Sequence, residues 1–361
     1  MCGFDHPILF TMDTFLMAIL HGGQLERVAT QFNIPRAQWL DLSTGIAPYS
    51  YPIPDIPAQA WQQLPHISSR LIAVAKVYYQ AQHCWPVAGS QQLIEKLPQL
   101  WEKRLSASSK EMPCKHVYLP KVGYKEHQHA WQQAGYQLHF YQQRLPEVLA
   151  PNSVVVVINP NNPLTDQFTV AQLQALAERC QTQQALLVID EAFADIFDAD
   201  FSYVPHLSEA QQNVIVLRSF GKFFGLAGLR IGFVCSSQYW CEVIQENIGP
   251  WSVNGPALYI AEQALSDTAW QVKQQQRLQV QRHKMQQLLS EIWPMYRIES
   301  NALFMTLFTE YAPLIYQQLC QHAVYVRLTD EKNALRFGIA DEKQLQKLQE
   351  VFMLSRKALS K

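Results

Sequence analysis

Residues 214–234 read VIVLRSFGKFFGLAGLRIGFV. An apolar run of strand character, Val214 to Leu217, enters a polar turn, Arg218-Ser219-Phe220-Gly221-Lys222, and a glycine-punctuated segment leads to a second apolar run, Ile231 to Val234. A lysine therefore stands between two buried strands. An unpaired ammonium is costly to desolvate there, and desolvation lowers the amine's pKa and makes it a nucleophile toward carbonyls. Taken alone, Ser-x-Gly-Lys is more often a solvated turn. Phe223 follows Gly221-Lys222 where a Walker-type phosphate loop needs Ser or Thr, so that loop is not indicated.

Upstream, the same grammar repeats. Val154 to Ile158 is a continuous apolar run, the mark of a strand buried on both faces of a parallel sheet, and it ends in Asn159-Pro160-Asn161-Asn162-Pro163. Leu173, Leu176, Ala177 and Cys180 recur at helical spacing before a second buried strand, Leu186 to Ile189, which ends in Asp190-Glu191-Ala192-Phe193. Val87 to Ile94 reads as a strand end, the small-residue turn Gly89-Ser90 and a new helix, whose backbone N–H groups suit an anion. Lys115 to Leu119 reads as a strand that passes through Gly123-Tyr124 to a helix near 127–135. Tyr124 fits either a ring stacked on a flat cofactor or a half-buried structural tyrosine. The strand–helix–strand pattern over 85–235 predicts one doubly wound α/β domain with Gly89-Ser90, Tyr124, Asn162, Asp190 and Lys222 at its strand ends, where open α/β sheets place ligands.

Either side of this block, the N-terminal part holds a helix at Gln24 to Phe32, a short strand around Trp39 to Leu42 and a proline-rich crossing loop over Pro48 to Pro65, with a helix at Leu71 to Tyr79. After it, a Gln-rich helical region at 257–290 bridges to a smaller domain, with strands at Ala302 to Phe308, Ala323 to Arg327 and Ala334 to Ile339 and helices at 310–322 and 341–357. The expected division is an N-terminal segment, 1–50, packing with the small domain, a large α/β domain, 51–255, and the bridging helix with the small C-terminal domain, 256–361.

With 361 residues, 48% hydrophobic and 16% charged, the chain has the makeup of a soluble globular protein of two domains. Its 29 Lys plus Arg against 30 Asp plus Glu argue against non-specific binding of nucleic acid or anionic membrane. The seven cysteines, at 2, 84, 114, 180, 235, 241 and 320, are scattered without Cys-x-x-Cys spacing, which fits a reducing cytoplasm. Pro7 to Leu20 is apolar but carries Asp13, lacks a basic flank and is too short to span a bilayer; Met12 and Met17 are possible alternative starts. No metal is implied.

The ordered set VAGSQ, GY, NPNNP, DEAF, SFGK, LAGLRIGF and NALRFG resembles the fold-type I pyridoxal-phosphate enzymes of the class I/II aminotransferase family, from His21 onward. The resemblance implies that Lys222 holds pyridoxal 5'-phosphate covalently, that Asp190 pairs with its pyridinium nitrogen, that Asn162 donates to its O3' and that Tyr124 stacks on its ring. Gly89, Ser90, Ser219 and Arg230 would cradle the cofactor phosphate, with a backbone N–H from Gln91. Arg336 in NALRFG matches the arginine that holds a substrate carboxylate, a role a bidentate guanidinium suits; Arg327, nine residues earlier, fits either a second substrate contact or a structural role. The family's Asp-x-Ala-Tyr is here Asp190 to Phe193, so a hydroxyl toward O3' is missing, and Pro163-Leu164-Thr165 replaces the usual Pro-Thr-Gly.

The stretch LHGGQLERVATQFNIPRAQWLDLSTGIAP, with DEAF and GPWSVNGPA, resembles the threonine-phosphate decarboxylases of cobalamin biosynthesis; the competing subgroup is histidinol-phosphate aminotransferase. On this resemblance His21 and Gly45 join the substrate site, with His21 arriving from a neighbouring subunit of a homodimer. The expected substrate is a small phosphorylated amino acid, and orientation of its bonds decides between decarboxylation and transamination.

Overall fold

The computed structural model describes residues 21–108, 115–301 and 303–359. Pro7 to Leu20, the alternative starts Met12 and Met17, and the thiols of Cys2 and Cys114 lie outside the described residues. The chain begins with α1 (Leu25–Phe32), β1 (Leu40–Asp41), a single turn α2 (Gln59–Gln62) and α3 (Ser69–Tyr79). Alternating units follow: β2 (Cys84–Val87), α4 (Ser90–Ser108), β3 (His116–Pro120), α5 (Lys125–Gln133), β4 (Gln137–Tyr141), β5 (Val154–Ile158), α6 (Val170–Thr182) and β6 (Leu186–Asp190). Next come β7 (Val214–Ser219), the short α7 (Phe220–Phe223), β8 (Gly232–Ser236), α8 (Gln238–Asn247), α9 (Gly255–Ser266) and α10 (Thr268–Ile292). The chain closes with β9 (Arg297–Ser300), β10 (Phe304–Phe308), α11 (Ala312–Gln321), β11 (Val324–Tyr325), β12 (Arg327–Leu328), β13 (Ala334–Gly338) and α12 (Glu342–Leu359).

The larger sheet has the order β2-β8-β7-β6-β5-β3-β4, parallel throughout except where β8 meets β7 and β2. Every residue of β5 and β6 is buried, which is why both read as unbroken apolar runs rather than alternating ones. A smaller antiparallel sheet, β12-β13-β10-β9, carries the C-terminal part. The fold is therefore α/β with a mostly parallel central sheet and an antiparallel C-terminal sheet.

Three local expectations change. The stretch 323–327 is not one strand: Val324 and Tyr325 pair with Leu40 and Asp41 of β1, whereas Arg327 and Leu328 pair with β13. A remote partner, β1, takes the first half into one sheet, and the nearby β13 takes the second into another. The helix expected over 257–290 is broken at Asp267, whose carboxylate accepts the Trp270 N–H at 3.0 Å and so starts α10 afresh, as an N-cap does. Within the 48–65 crossing, Gln59–Gln62 forms one helical turn, and β4, β9 and α8 arise where no element was expected.

Helix α10 ties the two halves together. Leu278 lies in the core of the larger sheet, while Met285, Leu289 and Ile292 lie in the core of the smaller one. On its buried face Gln274 donates to Tyr49 O at 2.7 Å and to Phe223 O at 3.1 Å. The N-terminal segment completes this clamp, since Ala47 N–H donates to Lys222 O at 2.9 Å and Tyr51 N–H to Phe224 O at 2.8 Å. The carbonyls of the lysine turn are thus held from two directions. Gln274→Leu leaves two buried carbonyls without these donors and should cost about 2 kcal/mol, read as a lower urea midpoint; an unchanged midpoint would show that the clamp contributes nothing.

Candidate active site

A cavity of about 290 Å³ opens at the C-terminal ends of β5, β6 and β7, bounded by Ile158, Asp190 and Ser219. All the residues singled out in the sequence line it: Lys222, Asp190, Tyr124, Asn162, Gly89, Ser90, Gln91, Ser219, Arg230, His21, Gly45, Arg327 and Arg336. Sequence order alone scatters these over more than three hundred positions.

Lys222 sits on α7 immediately beyond β7, with Nζ 5.5 Å from the centre of the Phe193 ring. Burial first, then the Arg336 and Arg230 charges, push its ammonium down to about 8, against the opposite pull of Asp190. Asp190 ends β6 and is only 3% exposed. Its Oδ1 accepts the Ala192 N–H at 3.0 Å, and its Oδ2 shares a 2.9 Å hydrogen bond with Nε2 of the equally buried His127. No reading of the sequence assigned His127, although its place three residues after Tyr124, one helical turn along α5, carries the signal.

Tyr124 caps the start of α5 and donates its hydroxyl to Gln91 Oε1 at 3.0 Å; burial, then Glu126 and Asp190, push that hydroxyl well above the ordinary tyrosine range. Gln91 Nε2 donates in turn to Glu126 at 3.1 Å, and Glu126 lies 2.7 Å from His21 Nε2. His21 therefore reaches the cavity of its own chain.

Next to Gln91, Ser90 opens α4 and Gly89 has a φ of 75°, a conformation glycine adopts without strain. A Cβ on Gly89 would lie 3.0 Å from Arg230 Nη2, so the glycine leaves that guanidinium its place. Arg230 itself has a φ of 57°, a left-handed backbone that non-glycine residues hold only where their surroundings impose it. The glycine turn, the helix start and the guanidinium together bring donors of the kind that suit a phosphate.

The remaining wall is built by the smaller sheet. Arg336 on β13 donates from Nη1 to Asn162 Oδ1 at 2.6 Å and from Nη2 to Ser43 O, and its buried Nε has no partner. Because a guanidinium only donates, it takes the oxygen of Asn162 and leaves the amide NH₂ as that residue's donor end. Arg327 on β12 is the direct cross-strand partner of Arg336. Two cations opposite each other on one sheet face repel, and an anion between them removes that cost. Phe193, where the family pattern has tyrosine, is buried against Phe304, with ring centres 5.0 Å apart. A Cβ on Gly45 would stand 2.7 Å from the Phe193 ring, so the glycine and the phenyl ring are fitted to each other. Thr165, in place of the usual glycine, keeps a left-handed φ of 64° and donates its N–H to Asn161 O at 2.9 Å.

This donor set fits pyridoxal phosphate: a desolvated lysine for its aldehyde, a buried carboxylate for its ring nitrogen, an amide donor for its phenolic oxygen and a socket for its phosphate. The family description "Aminotransferase class I and II" matches residues 61–352. A threonine-phosphate decarboxylase from Pseudomonas aeruginosa is 37% identical over 329 residues, covering 89% of this chain and 93% of that one. Among solved structures, histidinol-phosphate aminotransferase from Sinorhizobium meliloti in complex with pyridoxal-5'-phosphate superposes with a TM-score of 0.77 at 17% identity, covering 97% of this chain and all (100%) of that one. L-threonine-O-3-phosphate decarboxylase from Porphyromonas gingivalis gives 0.68 at 15% identity, covering 89% and 99%. With the family match extending over most of the chain and the lysine, carboxylate and guanidinium gathered in one cavity, the protein belongs to the class I and II aminotransferase family.

Proposed function

We propose that this enzyme decarboxylates L-threonine O-3-phosphate to (R)-1-amino-2-propanol O-2-phosphate, the aminopropanol unit of cobalamin. The observation that carries this reading is the facing pair Arg327 and Arg336 in the same cavity as Arg230, because it provides for a substrate with two anionic groups in addition to a phosphate-bearing cofactor. The similarity to threonine-phosphate decarboxylase over most of both chains supports the same substrate.

Lys222 would anchor the cofactor, Asp190 and His127 would keep its ring nitrogen protonated, and Asn162 would donate to its phenolic oxygen. Tyr124 would lie on its ring, and Gly89, Ser90, Gln91, Ser219 and Arg230 would hold its phosphate. Pyridoxal phosphate, when bound, supplies an electron sink for the pair released as the carboxylate leaves the α-carbon. Arg336 would grip that carboxylate, with Arg327 and His21 on the substrate phosphate, and this fixed orientation of the substrate's two anionic ends would favour loss of the carboxylate over loss of the C–H proton. Phe193 and Gly45 would close one side with apolar surface and exclude water. Lys222 would deliver the proton that takes the place of the departing carbon dioxide.

The two-domain division at 51–255 and 256–361, with the N-terminal segment on the smaller part, is the companion proposal; α1 and Trp39 pack on Cys320, Ala323 and Tyr325. A homodimer is supported by the exposed Trp61 and Trp251, at 66% and 59%, which flank the packing of α2 on the start of α9. A cytoplasmic location is supported by the unpaired state of the five described cysteines. Among the described residues no helix is long and apolar enough to cross a membrane.

With L-threonine O-3-phosphate and no oxo-acid acceptor, the cofactor-loaded enzyme should release carbon dioxide; silence there, together with glutamate formed from histidinol phosphate and 2-oxoglutarate, would identify an aminotransferase instead. His21→Ala should raise KM about tenfold while bound cofactor absorbance stays intact; loss of that absorbance would remove His21 from the substrate. Only the free amine of Lys222 attacks an aldehyde, so covalent cofactor capture by the apoprotein should rise with pH through about 8 and level off above it. Arg336→Leu removes one cause of the depression and should move the rise to higher pH; a wild-type rise centred near the ordinary lysine value would refute the desolvated amine.

A further inference from the structure

We infer that Asp330 sets the anion selectivity of this cavity, its carboxylate filling the Arg327 fork until a doubly charged phosphate displaces it. The inference deepens the functional reading above and rests on it for Arg327 as an anion anchor. Arg327 Nη2 donates to Asp330 Oδ1 at 2.8 Å, and both residues line the cavity. The cross-strand partner, Arg336, is met by neutral acceptors, the Asn162 amide oxygen and the Ser43 carbonyl. Asp330 is thus the carboxylate that meets Arg327, whereas the carboxylate acting on Arg336 is that of Asp41. The neighbouring Glu331 has its own cation, Lys125 at the start of α5, 3.4 Å away.

The turn that carries Asp330 holds its shape without the side chain. Lys332 N–H donates to Thr329 O at 2.9 Å, Thr329 N–H to Ala334 O at 3.0 Å, and Ala334 N–H to Thr329 Oγ1 at 3.2 Å. The ion pair is therefore an addition to the turn, placed where an incoming anion must compete with it. Exchanging one carboxylate for another at Arg327 gains little, whereas a phosphate dianion brings twice the charge to the same guanidinium. A site arranged in this way turns away amino acids with singly charged side chains. It also lets a phosphorylated product leave, because Asp330 returns as the product departs.

The test uses the cofactor-loaded enzyme, so that the cofactor's phosphate already occupies the Arg230 socket, and titrates inorganic phosphate and acetate by calorimetry at pH 8. The proteins compared are wild type, Asp330→Asn, Arg327→Gln and the double variant. Asp330→Asn should bind phosphate about fivefold tighter and lose part of the preference for phosphate over acetate, while the same change in the Arg327→Gln background should alter phosphate binding by less than about twofold. Unchanged or weaker phosphate binding by Asp330→Asn overturns the inference, as does equal tightening in both backgrounds, which would mark a general charge effect. If Arg327→Gln by itself leaves phosphate binding intact, Arg327 is not an anion anchor and the functional reading fails with it. Should Asp330→Asn fold poorly, Asp330→Ser gives the same comparison.

Discussion

The cavity holds more positive charge than its own acids can neutralise, and much of the structure answers that constraint. Lys125, Arg230, Arg327 and Arg336 line it with the titrating Lys222 against Asp190, Asp330 and Glu331, four fixed cations and one titrating amine against three carboxylates. In an interior of low dielectric, that excess raises the free energy of the ligand-free state and favours anionic ligands. It also depresses the lysine: the guanidiniums of Arg336 and Arg230 act on Lys222 in the same direction as its burial. The chemistry that the lysine can perform is therefore set first by its burial and then by guanidinium charges, one of them on another sheet.

Holding such a group of cations in place requires rigid support from behind, and the larger sheet provides it. Along the end of β6 and its continuation, Asp190 faces the cavity while Glu191 faces away. Arg218, just before Ser219 on β7, binds Glu191 and Asp195 at 2.7 Å each, and all three are buried. A buried ionic cluster of this kind contributes little net stability, but removing one member strands the others, so it fixes the relation of the two strand ends. In front, Gln274 and the segment 47–51 take up the carbonyls of the lysine turn. The nucleophile is therefore clamped by three parts of the chain that are remote in sequence.

Local patterns made much of this legible. Unbroken apolar runs such as Val154 to Ile158 and Leu186 to Ile189 identify doubly buried strands, and ligand-bearing residues at strand ends follow from the geometry of parallel sheets. Strands whose exposure varies, such as Gln137–Tyr141 and Arg297–Ser300, escaped notice because neither carries a clean period. The role of Asp267 as a helix start was hidden inside a long Gln-rich pattern that otherwise continues without interruption.

The sequence by itself therefore determined the α/β character, the buried strands that border the site and the residues that stand at their ends, because these depend on side-chain periodicity and turn chemistry within a few residues. Only the tertiary structure decided that Arg336 would meet Ser43 across 293 positions, that His127 would bond Asp190, that His21 would reach the cavity of its own chain and that Arg327 would face Arg336. Those contacts arise when sheets pack and strands choose partners. Strand pairing at long range is governed by burial summed over whole surfaces, which no local stretch of the chain encodes.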